Sequence, residues 1–322
     1  MKLVVQIPCL NESGSLADVI NSIPKKIAGC SSVEIVVVDD GSTDQTAEVA
    51  ASLGVKSIIR HHGTRGLAES FRSGLDYALS READIIVNTD GDNQYPQEKI
   101  AELIAPILEG RADIVIGDRR THRIDHFSIP KKILQYLGSK TVSLAAGVNV
   151  PDAGSGFRAY SRTAALKLNL VTKYSYTMET IIQAGYKRLA IVSVPINTNP
   201  MTRESRLFKS TPEHVIKSAA AIIRSLLMYR PYAVFGSLGV ALGGLGLIPF
   251  VRFFINTLAG TAEEYLQSLI FGASLITAAL LSFALGVLAD LIRVNRQLIE
   301  DGLALQKAHQ DELSLSDLVR FK

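Results

Sequence analysis

Three short acidic motifs hold the residues of this 322-residue chain that are best suited to chemistry. They occupy residues 8–12, 37–44 and 88–94, and each follows a short apolar run that is typical of a β-strand. Carboxylates gathered at one place repel one another unless a cation or hydrogen-bond donors offset their charge. The three motifs therefore indicate a site that binds a cation or a ligand rich in donors.

The third motif contains an Asp-Gly-Asp sequence. Asp90 and Asp92 are two residues apart, so their carboxylates point to the same side of an extended chain, and Gly91 allows a bend between them. Mg²⁺ takes oxygen ligands and is usually held by one or two carboxylates together with substrate phosphates. We therefore predict a Mg²⁺ or Mn²⁺ site here, with a simple turn as the alternative.

Strands alternate with helices in the segment that must position these motifs. The pattern predicts strands at residues 3–7, 34–39, 57–61, 85–89, 114–117 and 190–196. It predicts helices at residues 15–23, 42–53, 66–79 and 97–109. This alternation favours a Rossmann-like α/β fold with a mostly parallel sheet and helices on both faces. Ligands of such sheets bind at the carboxyl ends of the strands, where the motifs lie.

The composition excludes several classes of protein. With 34 Lys and Arg against 31 Asp and Glu, the net charge is +3, and 47% of residues are hydrophobic. A disordered chain and a polybasic nucleic-acid binder are not expected, so we predict no nucleic-acid partner. Cys9 and Cys30 are the two cysteines and are predicted to be small buried hydrophobic residues rather than a disulfide. The first apolar run is too short for a signal peptide.

The C-terminal part predicts two transmembrane helices, at about residues 232–256 and 266–290. Residues 232–255 contain one charged side chain, Arg252, and residues 266–289 contain none. Each stretch is long enough for a hydrocarbon core of about 30 Å, although two buried core helices would give a similar pattern. The linker between them carries Glu263 and Glu264 and no Lys or Arg. The positive-inside rule predicts a multi-pass protein of a bacterial-type inner membrane, with both termini and the catalytic domain cytoplasmic.

The segments around these spans complete the predicted organisation. A catalytic domain at 1–210 is followed by an amphipathic segment at 211–231, the spans within 232–292, and a cytoplasmic helix or tail at 293–322. The amphipathic segment is interpreted as an interfacial helix, or else as a surface helix of the catalytic domain. Gly239 and Gly243 in the first span allow close helix packing, either within a hairpin or in a homo-oligomer.

The motifs, together with residues 117–119 and 152–158, resemble those of the family 2 glycosyltransferases of the GT-A fold, in the same order over about residues 3–200. With its two C-terminal spans, the chain is most similar to the polyprenyl-phosphate glycosyltransferases. That group includes dolichyl-phosphate mannose synthase and bacterial undecaprenyl-phosphate glucosyltransferases. The resemblance implies a GT-A domain, a nucleotide-sugar donor, a divalent metal ion, and a polyprenyl phosphate acceptor in the lipid bilayer.

The resemblance also implies roles for individual residues. The nucleotide would contact Pro8, Asn11, Glu12, Asp39, Asp90 and Gly91. The metal ion would be bound by Asp90, Asp92 and Gln94. The phosphate groups of donor and acceptor would be bound by Arg119, Lys132, Arg158, Arg203, Ser205 and Arg206. Asp92 and Asp152 are the predicted catalytic residues, and Asp152 would either accept a proton or position the reactants.

Some positions depart from the family pattern. Asn93 stands where a hydrophobic residue is frequent, and Lys131 or Lys132 stands where an arginine is expected. The segment at residues 203–206 lacks the glycine that usually precedes its serine.

The predicted reaction moves a hexose to a lipid phosphate with inversion at the anomeric carbon. The phosphate is mostly ionised at neutral pH and needs little help from a base. UDP-glucose is the first candidate donor and GDP-mannose the alternative. Two other classes remain open: a sugar nucleotidyltransferase, which would normally show a Gly-rich basic loop in place of residues 8–12, and a non-catalytic membrane subunit.

Overall fold

The computed structural model describes residues 1–121, 129–170, 176–200, 220, 223–224, 226–258 and 266–320. The chain divides into two compact units. One comprises residues 1–222 together with 301–322, and the other comprises residues 223–300.

The first unit alternates strands and helices as the sequence predicts. The strands are β1 (Lys2–Cys9), β2 (Ser32–Asp39), β3 (Ser57–Arg60), β4 (Ile85–Asn88), β5 (Ile114–Asp118), β6 (Arg158–Ser161) and β7 (Ile191–Pro195). The helices are α1 (Leu16–Ser22), α2 (Thr46–Ser52), α3 (Leu67–Ser80), α4 (Ile100–Leu108), α5 (Ile129–Ala146), α6 (Arg162–Lys167) and α7 (Tyr176–Tyr186), and a 3-10 turn (Gln97–Lys99) precedes α4.

These strands form one seven-stranded sheet in the order β3-β2-β1-β4-β6-β5-β7. All neighbours are parallel except β6, which runs antiparallel to both β4 and β5. The predicted mostly parallel sheet is therefore confirmed. Strand β6 was not predicted, because its four residues, Arg-Ala-Tyr-Ser, show no clear apolar alternation.

The alternation of side chains along β1 explains why helices cover both faces of the sheet. Leu3, Val5 and Ile7 belong to one apolar cluster with residues of α1 and α4. Gln6 lies on the opposite face, where its Nε2 donates to the carbonyl oxygen of Phe71 in α3 at 3.4 Å. Helices thus cover both faces of the sheet. Ligands can reach it only where the strands end.

Helices α5 and α7 approach so closely that only a glycine fits at their contact. A Cβ atom at Gly185 would overlap the carbonyl oxygen of Ala146. A helical Gly→Ala change usually stabilises a protein by up to about 1 kcal/mol. Here we expect Gly185→Ala to destabilise it by about 1–3 kcal/mol, because the helices must separate.

Thermal unfolding in detergent tests this expectation. Gly14→Ala is the control, since no atom lies within 4 Å of its added Cβ. An unchanged transition temperature for Gly185→Ala would show that α5 and α7 are not in such close contact.

The second unit contains most of two long helices, α8 (Pro231–Leu258) and α9 (Leu266–Arg320). Two segments, Pro231–Leu258 and Gln267–Glu300, are long and apolar enough to cross a membrane, and few of their side chains are buried. Both predicted spans fall largely within them. The helix predicted after the second span is a continuation of α9 rather than a separate element. Most of the amphipathic segment at 211–231 lies outside the described residues.

The glycines of the first span contact the second helix. A Cβ atom at Gly239 would lie 2.9 Å from Phe283 Cε2, and one at Gly243 would lie 3.6 Å from Ala279 Cβ. Of the two interpretations of this pair, the structure favours packing within the hairpin. A homo-oligomer remains a prediction.

Candidate active site

The three acidic motifs meet at one edge of the sheet. Strands β2, β1 and β4 are adjacent and parallel, so their carboxyl ends lie side by side. Hydrogen bonds join the loops that follow them. The backbone N of Asn11 donates to Ser42 Oγ at 2.9 Å, and Ser15 Oγ donates to the carbonyl oxygen of Gly91 at 2.7 Å. The predicted clustering is therefore observed.

Asp39 presents an unsatisfied oxygen at this edge. Its carboxylate is fully buried, and Oδ1 accepts a hydrogen bond from the backbone N of Ser42 at 2.8 Å. Oδ2 lies 3.2 Å from Arg60 Nε and has no hydrogen-bond partner among the described residues. A cavity of about 280 Å³ follows β2 and β3 and is lined by Gly41, Ser42, Arg60, His61 and His62. A ligand N–H, such as that of a nucleobase, would satisfy this buried acceptor.

A buried histidine supports the wall of this cavity. His61 Nδ1 donates to Asp40 Oδ1 at 2.7 Å, and its Nε2 lies 3.0 Å from Ser73 Oγ. The same Asp40 carboxylate accepts the backbone N–H groups of Arg65 and Gly66. Asp40 therefore joins three segments of the chain, which the sequence did not show.

The first motif serves partly to hold its neighbours. Pro8 lies inside β1, where it is buried opposite Val38. Asn11 adopts a positive φ of 57°, and its Oδ1 accepts the backbone N–H of Thr43 at 2.8 Å. Glu12 is buried, and its Oε2 accepts from Ser15 Oγ at 3.1 Å. Contacts of Pro8, Asn11 and Glu12 with a nucleotide remain predictions.

Asp90 lies in a region of concentrated negative charge. Burial raises the pKa of Asp90 to about 7, and the carboxylates of Asp92 and Glu12 add to the shift. Gly91 is needed at this bend, because a Cβ there would lie 2.9 Å from Cys9 Sγ and 3.1 Å from Glu12 Cγ. The chain therefore holds two carboxylates where a positive charge would be favourable.

The turn after Asp92 is fixed by backbone contacts. Asn93 has a φ of 58°, a left-handed conformation that asparagine tolerates better than most residues, which explains why asparagine stands there. The backbone N of Gln94 donates to Asp92 Oδ1 at 3.1 Å. Asn199 donates through its backbone N to Gln94 O and through Nδ2 to Asn93 O. Asn199 was not identified from the sequence, because it lies about 100 residues away.

The donor set fits a hard divalent cation. Within the described part of the chain, no group of three or more His, Cys, Asp or Glu side chains converges on a metal site. Two carboxylates are nevertheless enough for Mg²⁺ or Mn²⁺ when substrate phosphates supply other ligands. Burial, with a further contribution from the Asp92 carboxylate, raises the pKa of Asp90, and a bound cation would favour the ionised carboxylate.

Asp152 and Arg119 form a buried, bidentate ion pair. Arg119 Nε lies 2.7 Å from Asp152 Oδ2, and Nη2 lies 2.9 Å from Oδ1. Burial alone would raise the pKa of Asp152, but the Arg119 guanidinium holds it below its ordinary value. Asp152 is thus ionised with both oxygens occupied. This geometry favours the positioning role over that of a general base.

The structure places Arg158 differently from the expectation that it faces a phosphate. Its side chain is fully buried because β6 lies inside the sheet. Nε donates to Ser155 O and Nη2 to Ala153 O, while Nη1 donates to Thr177 O and Thr180 Oγ1, all at 2.7–2.9 Å. The guanidinium therefore supports the loop that carries Asp152 and the start of α7.

A buried amide network beneath Asp90 was also missed. Asn88 Oδ1 accepts from Gln6 Nε2, and Asn88 Nδ2 donates to both Gly156 O and Tyr176 Oη. These bonds link β1, β4, the loop before β6 and α7. The available signal was a polar amide in each of two otherwise apolar strands, since such groups are retained inside a core when they are hydrogen-bonded.

Comparison with known proteins identifies the family. The family model described as Glycosyl transferase family 2 matches residues 4–168, about half of the chain. The chain belongs to glycosyltransferase family 2. This confirms the resemblance drawn from the motifs.

Two relatives of this family 2 glycosyltransferase carry informative names. This chain is 30% identical over 213 residues to the UDP-N-acetylglucosamine–dolichyl-phosphate N-acetylglucosaminyltransferase of Methanococcus voltae. The alignment covers 60% of this chain and 83% of the relative. This chain is 27% identical over 206 residues to the polyprenol monophosphomannose synthase of Mycolicibacterium smegmatis, covering 61% and 83%.

A solved structure has a similar fold. It is glucosyl-3-phosphoglycerate synthase from Mycobacterium tuberculosis, in complex with Mn²⁺, UDP-glucose and phosphoglyceric acid. The TM-score is 0.55 at 22% identity, covering 70% of this glycosyltransferase and 78% of the other chain. The similarity confirms the GT-A-like α/β fold.

The remaining predicted phosphate ligands are placed as follows. Lys132 lies in the first turn of α5 and is half-exposed. Arg203, Ser205 and Arg206 lie outside the described residues of the glycosyltransferase.

Proposed function

We propose that this glycosyltransferase moves a hexose from a nucleotide sugar to a polyprenyl phosphate at a membrane surface. The observation that carries the proposal is the convergence of three acidic strand ends in a chain with two helices of membrane-spanning length. The names of both relatives, which specify a dolichyl or polyprenol acceptor, support the acceptor class.

The donor nucleotide would occupy the edge formed by β1, β2 and β4. Asp39 Oδ2, which is paired with Arg60 but has no hydrogen-bond partner among the described residues, would accept an N–H group of the base. Asn11, Glu12 and Gly91 would form the wall facing the ribose. UDP-glucose is the first candidate donor, and GDP-mannose is the alternative that the mycobacterial relative's name supports.

The diphosphate would lie against Asp90 and its neighbours. Asp90, Asp92 and Gln94 would hold Mg²⁺ or Mn²⁺, which supplies Lewis-acid neutralisation of the leaving diphosphate when bound. Arg119 is held by Asp152, and its Nη1 has no hydrogen-bond partner among the described residues. Nη1 could therefore donate to a phosphate oxygen, where a fixed positive charge favours departure of the diphosphate.

The acceptor phosphate would attack the anomeric carbon directly. A single displacement inverts that carbon and needs no covalent intermediate. Because the phosphate is mostly ionised at neutral pH, Asp152 would act by holding Arg119 rather than by removing a proton. Lys132, Arg203, Ser205 and Arg206 remain the predicted ligands of the acceptor phosphate.

A polyprenyl phosphate acceptor requires an enzyme that works at the membrane, and the two long apolar helices would provide this location. Each CH₂ group of a polyprenyl chain favours the bilayer by about 0.8 kcal/mol, so the enzyme must bring its site to the lipid. The distribution of Lys and Arg supports an inner-membrane, multi-pass protein with a cytoplasmic catalytic domain and termini. Labelling of an Ala262→Cys variant by a membrane-impermeant maleimide on intact spheroplasts would test this orientation.

A labelling assay tests the proposed reaction. The full chain in lipid nanodiscs is incubated with undecaprenyl phosphate and radiolabelled UDP-glucose, GDP-mannose or UDP-N-acetylglucosamine, with Mg²⁺, Mn²⁺ or EDTA. We expect one donor to label the lipid phase, and EDTA to abolish the labelling. Absence of lipid label with every donor would refute the acceptor class, and label that survives EDTA would refute metal dependence.

Gly156 offers a sharp test of the Asp90 environment. A Cβ at Gly156 would lie 2.9 Å from Asp90 Oδ2 and 3.1 Å from Tyr176 Oη, so Gly156→Ala must displace the carboxylate. We expect transfer to fall by up to about 100-fold, the loss that a misplacement of about 1 Å causes in an active site. Gly138→Ala is the control, since its added Cβ has no neighbour within 4 Å. Equal rates for the two variants would place Asp90 outside the reaction site.

A further inference from the structure

Helix α5 has an exposed apolar face. Ile133, Tyr136, Leu137 and Leu144 are between 53% and 78% exposed. Among the described residues of the first unit, the other large apolar side chain of comparable exposure is Met1, at 52%. Such a concentration on one helix indicates a surface that another phase or molecule covers.

The exposed residues follow the helical repeat. Ile133, Leu137, Lys140 and Leu144 are spaced by three or four residues and therefore share one side of α5. The opposite side is buried through Ser139, Val142, Ala145 and Ala146. Helix α5 thus has two faces, one packed on its own unit and one directed outward. This outward face is defined here by Ile133, Tyr136, Leu137, Lys140 and Leu144.

The charges of α5 favour a lipid surface as its occupant. Its sequence contains Lys131, Lys132 and Lys140 and no Asp or Glu. Lysine is depleted at protein–protein interfaces, whereas at a bilayer surface its chain lies along the apolar region and its ammonium group reaches the anionic headgroups. The chain also carries two helices of membrane-spanning length, so a bilayer is available to it.

The inner face of α5 holds the loop that carries Asp152. Ser139 Oγ accepts the backbone N–H of Ala153 at 3.0 Å. Ser143 Oγ accepts the backbone N–H of Val150 at 3.0 Å and donates to the carbonyl oxygen of Val150 at 3.1 Å. These hydrogen bonds fix the backbone of the loop on both sides of Asp152. The position of α5 therefore sets the position of this loop.

We propose that the outward face of α5 inserts into the headgroup region of an anionic bilayer and holds the Asp152 loop at that level. The lipid contact stands on the geometry and charge of α5. The further inference that this contact delivers a lipid-borne phosphate to the Asp152 loop rests on the proposed function.

Fluorescence quenching tests the lipid contact without any need for turnover. A bimane label is attached to Leu137→Cys or Leu144→Cys in the full chain, with Cys30 replaced by serine, in nanodiscs of phosphatidylethanolamine and phosphatidylglycerol. Ser52→Cys, exposed on α2, is the matched control. We expect brominated lipid chains to quench the α5 labels at least threefold more than the control label, and aqueous iodide to show the reverse order.

Each other result overturns the proposal. If iodide quenches the α5 labels as strongly as the control, the face is in water. If the α5 labels are protected from iodide without quenching by brominated lipid, protein covers the face. Disulfide formation between two Leu144→Cys chains would then identify a second copy, and its absence would indicate another segment of the same chain.

A second measurement separates the lipid role from a structural one. The variant Leu137→Glu/Leu144→Glu is compared with Ser52→Glu on undecaprenyl phosphate in nanodiscs and on a short, water-soluble prenyl phosphate. We expect at least a tenfold loss with the bilayer acceptor and little loss with the soluble one. An equal loss with both acceptors would contradict the proposal. If the wild-type chain transfers sugar to neither, the proposed function fails while the quenching result still decides the lipid contact.

Discussion

We expect replacement of Asp90 by asparagine to lower the rate of sugar transfer by about 1,000-fold, because the divalent cation proposed to bind there would lose a charged ligand and, with it, several kcal/mol of transition-state stabilisation. The fold is expected to lose no stability. Burial raises the pKa of Asp90 to about 7, so above that pH the ionised carboxylate disfavours the folded state in the absence of metal. Asparagine removes this cost.

Both the rate of transfer and the thermal stability of the Asp90→Asn variant are measured. The kcat/KM value for the donor is determined with saturating Mg²⁺ or Mn²⁺, and the thermal transition is recorded at pH 8 without metal. Asp18→Asn is the control, because Asp18 is exposed on α1. A variant that retains wild-type transfer, or whose transition falls by many degrees, would contradict the role assigned to Asp90.

Replacing Asp152 by asparagine is expected to impair both stability and catalysis. The change leaves the Arg119 guanidinium, 12% exposed, without its partner, and breaking one side of a buried ion pair costs about 3–5 kcal/mol. The low pKa of Asp152 means that its stabilising effect is complete above about pH 4, the ordinary value of a free aspartate, and is lost as the pH falls through the folded-state pKa. The stability difference between wild type and variant should therefore be constant from pH 6 to 8.

A double-mutant cycle distinguishes positioning from proton transfer. If Asp152 acts only by holding Arg119, the variant Asp152→Asn/Arg119→Gln transfers sugar no more slowly than Arg119→Gln alone. If Asp152 also removes a proton, the double variant is slower than either single variant. The cycle is measured as kcat on variants whose folding has been verified, and the first outcome is expected.

Much of the catalytic edge was predictable because it depends on local sequence. Strands β1, β2 and β4 are largely apolar runs, each followed by polar and acidic residues, and adjacent parallel strands bring their carboxyl ends together. The placement of Asp39 and Asp90 at one edge follows from this rule. The two helices of membrane-spanning length were likewise predictable from the sequence, since their length and apolar composition define them.

The functions of individual charged residues were less predictable. Arg119 and Arg158 have the same side chain, yet Arg119 pairs with the carboxylate of Asp152, while Arg158 is fully buried and bonded to three carbonyl oxygens. The difference arises from β6, whose antiparallel insertion between β4 and β5 was not visible in four residues of sequence. Long-range partners decide what such a side chain can touch.

The sequence by itself determined the strand–helix alternation, the acidic strand ends and the two long apolar helices, because each depends on the order of neighbouring residues. Only the tertiary structure decided that Asp152 is held by Arg119, that Asn199 braces the Asp92 turn, and that α5 turns an apolar face outward. These features depend on contacts between residues far apart in the chain. Such contacts are set by the packing of the whole sheet, which no local pattern specifies.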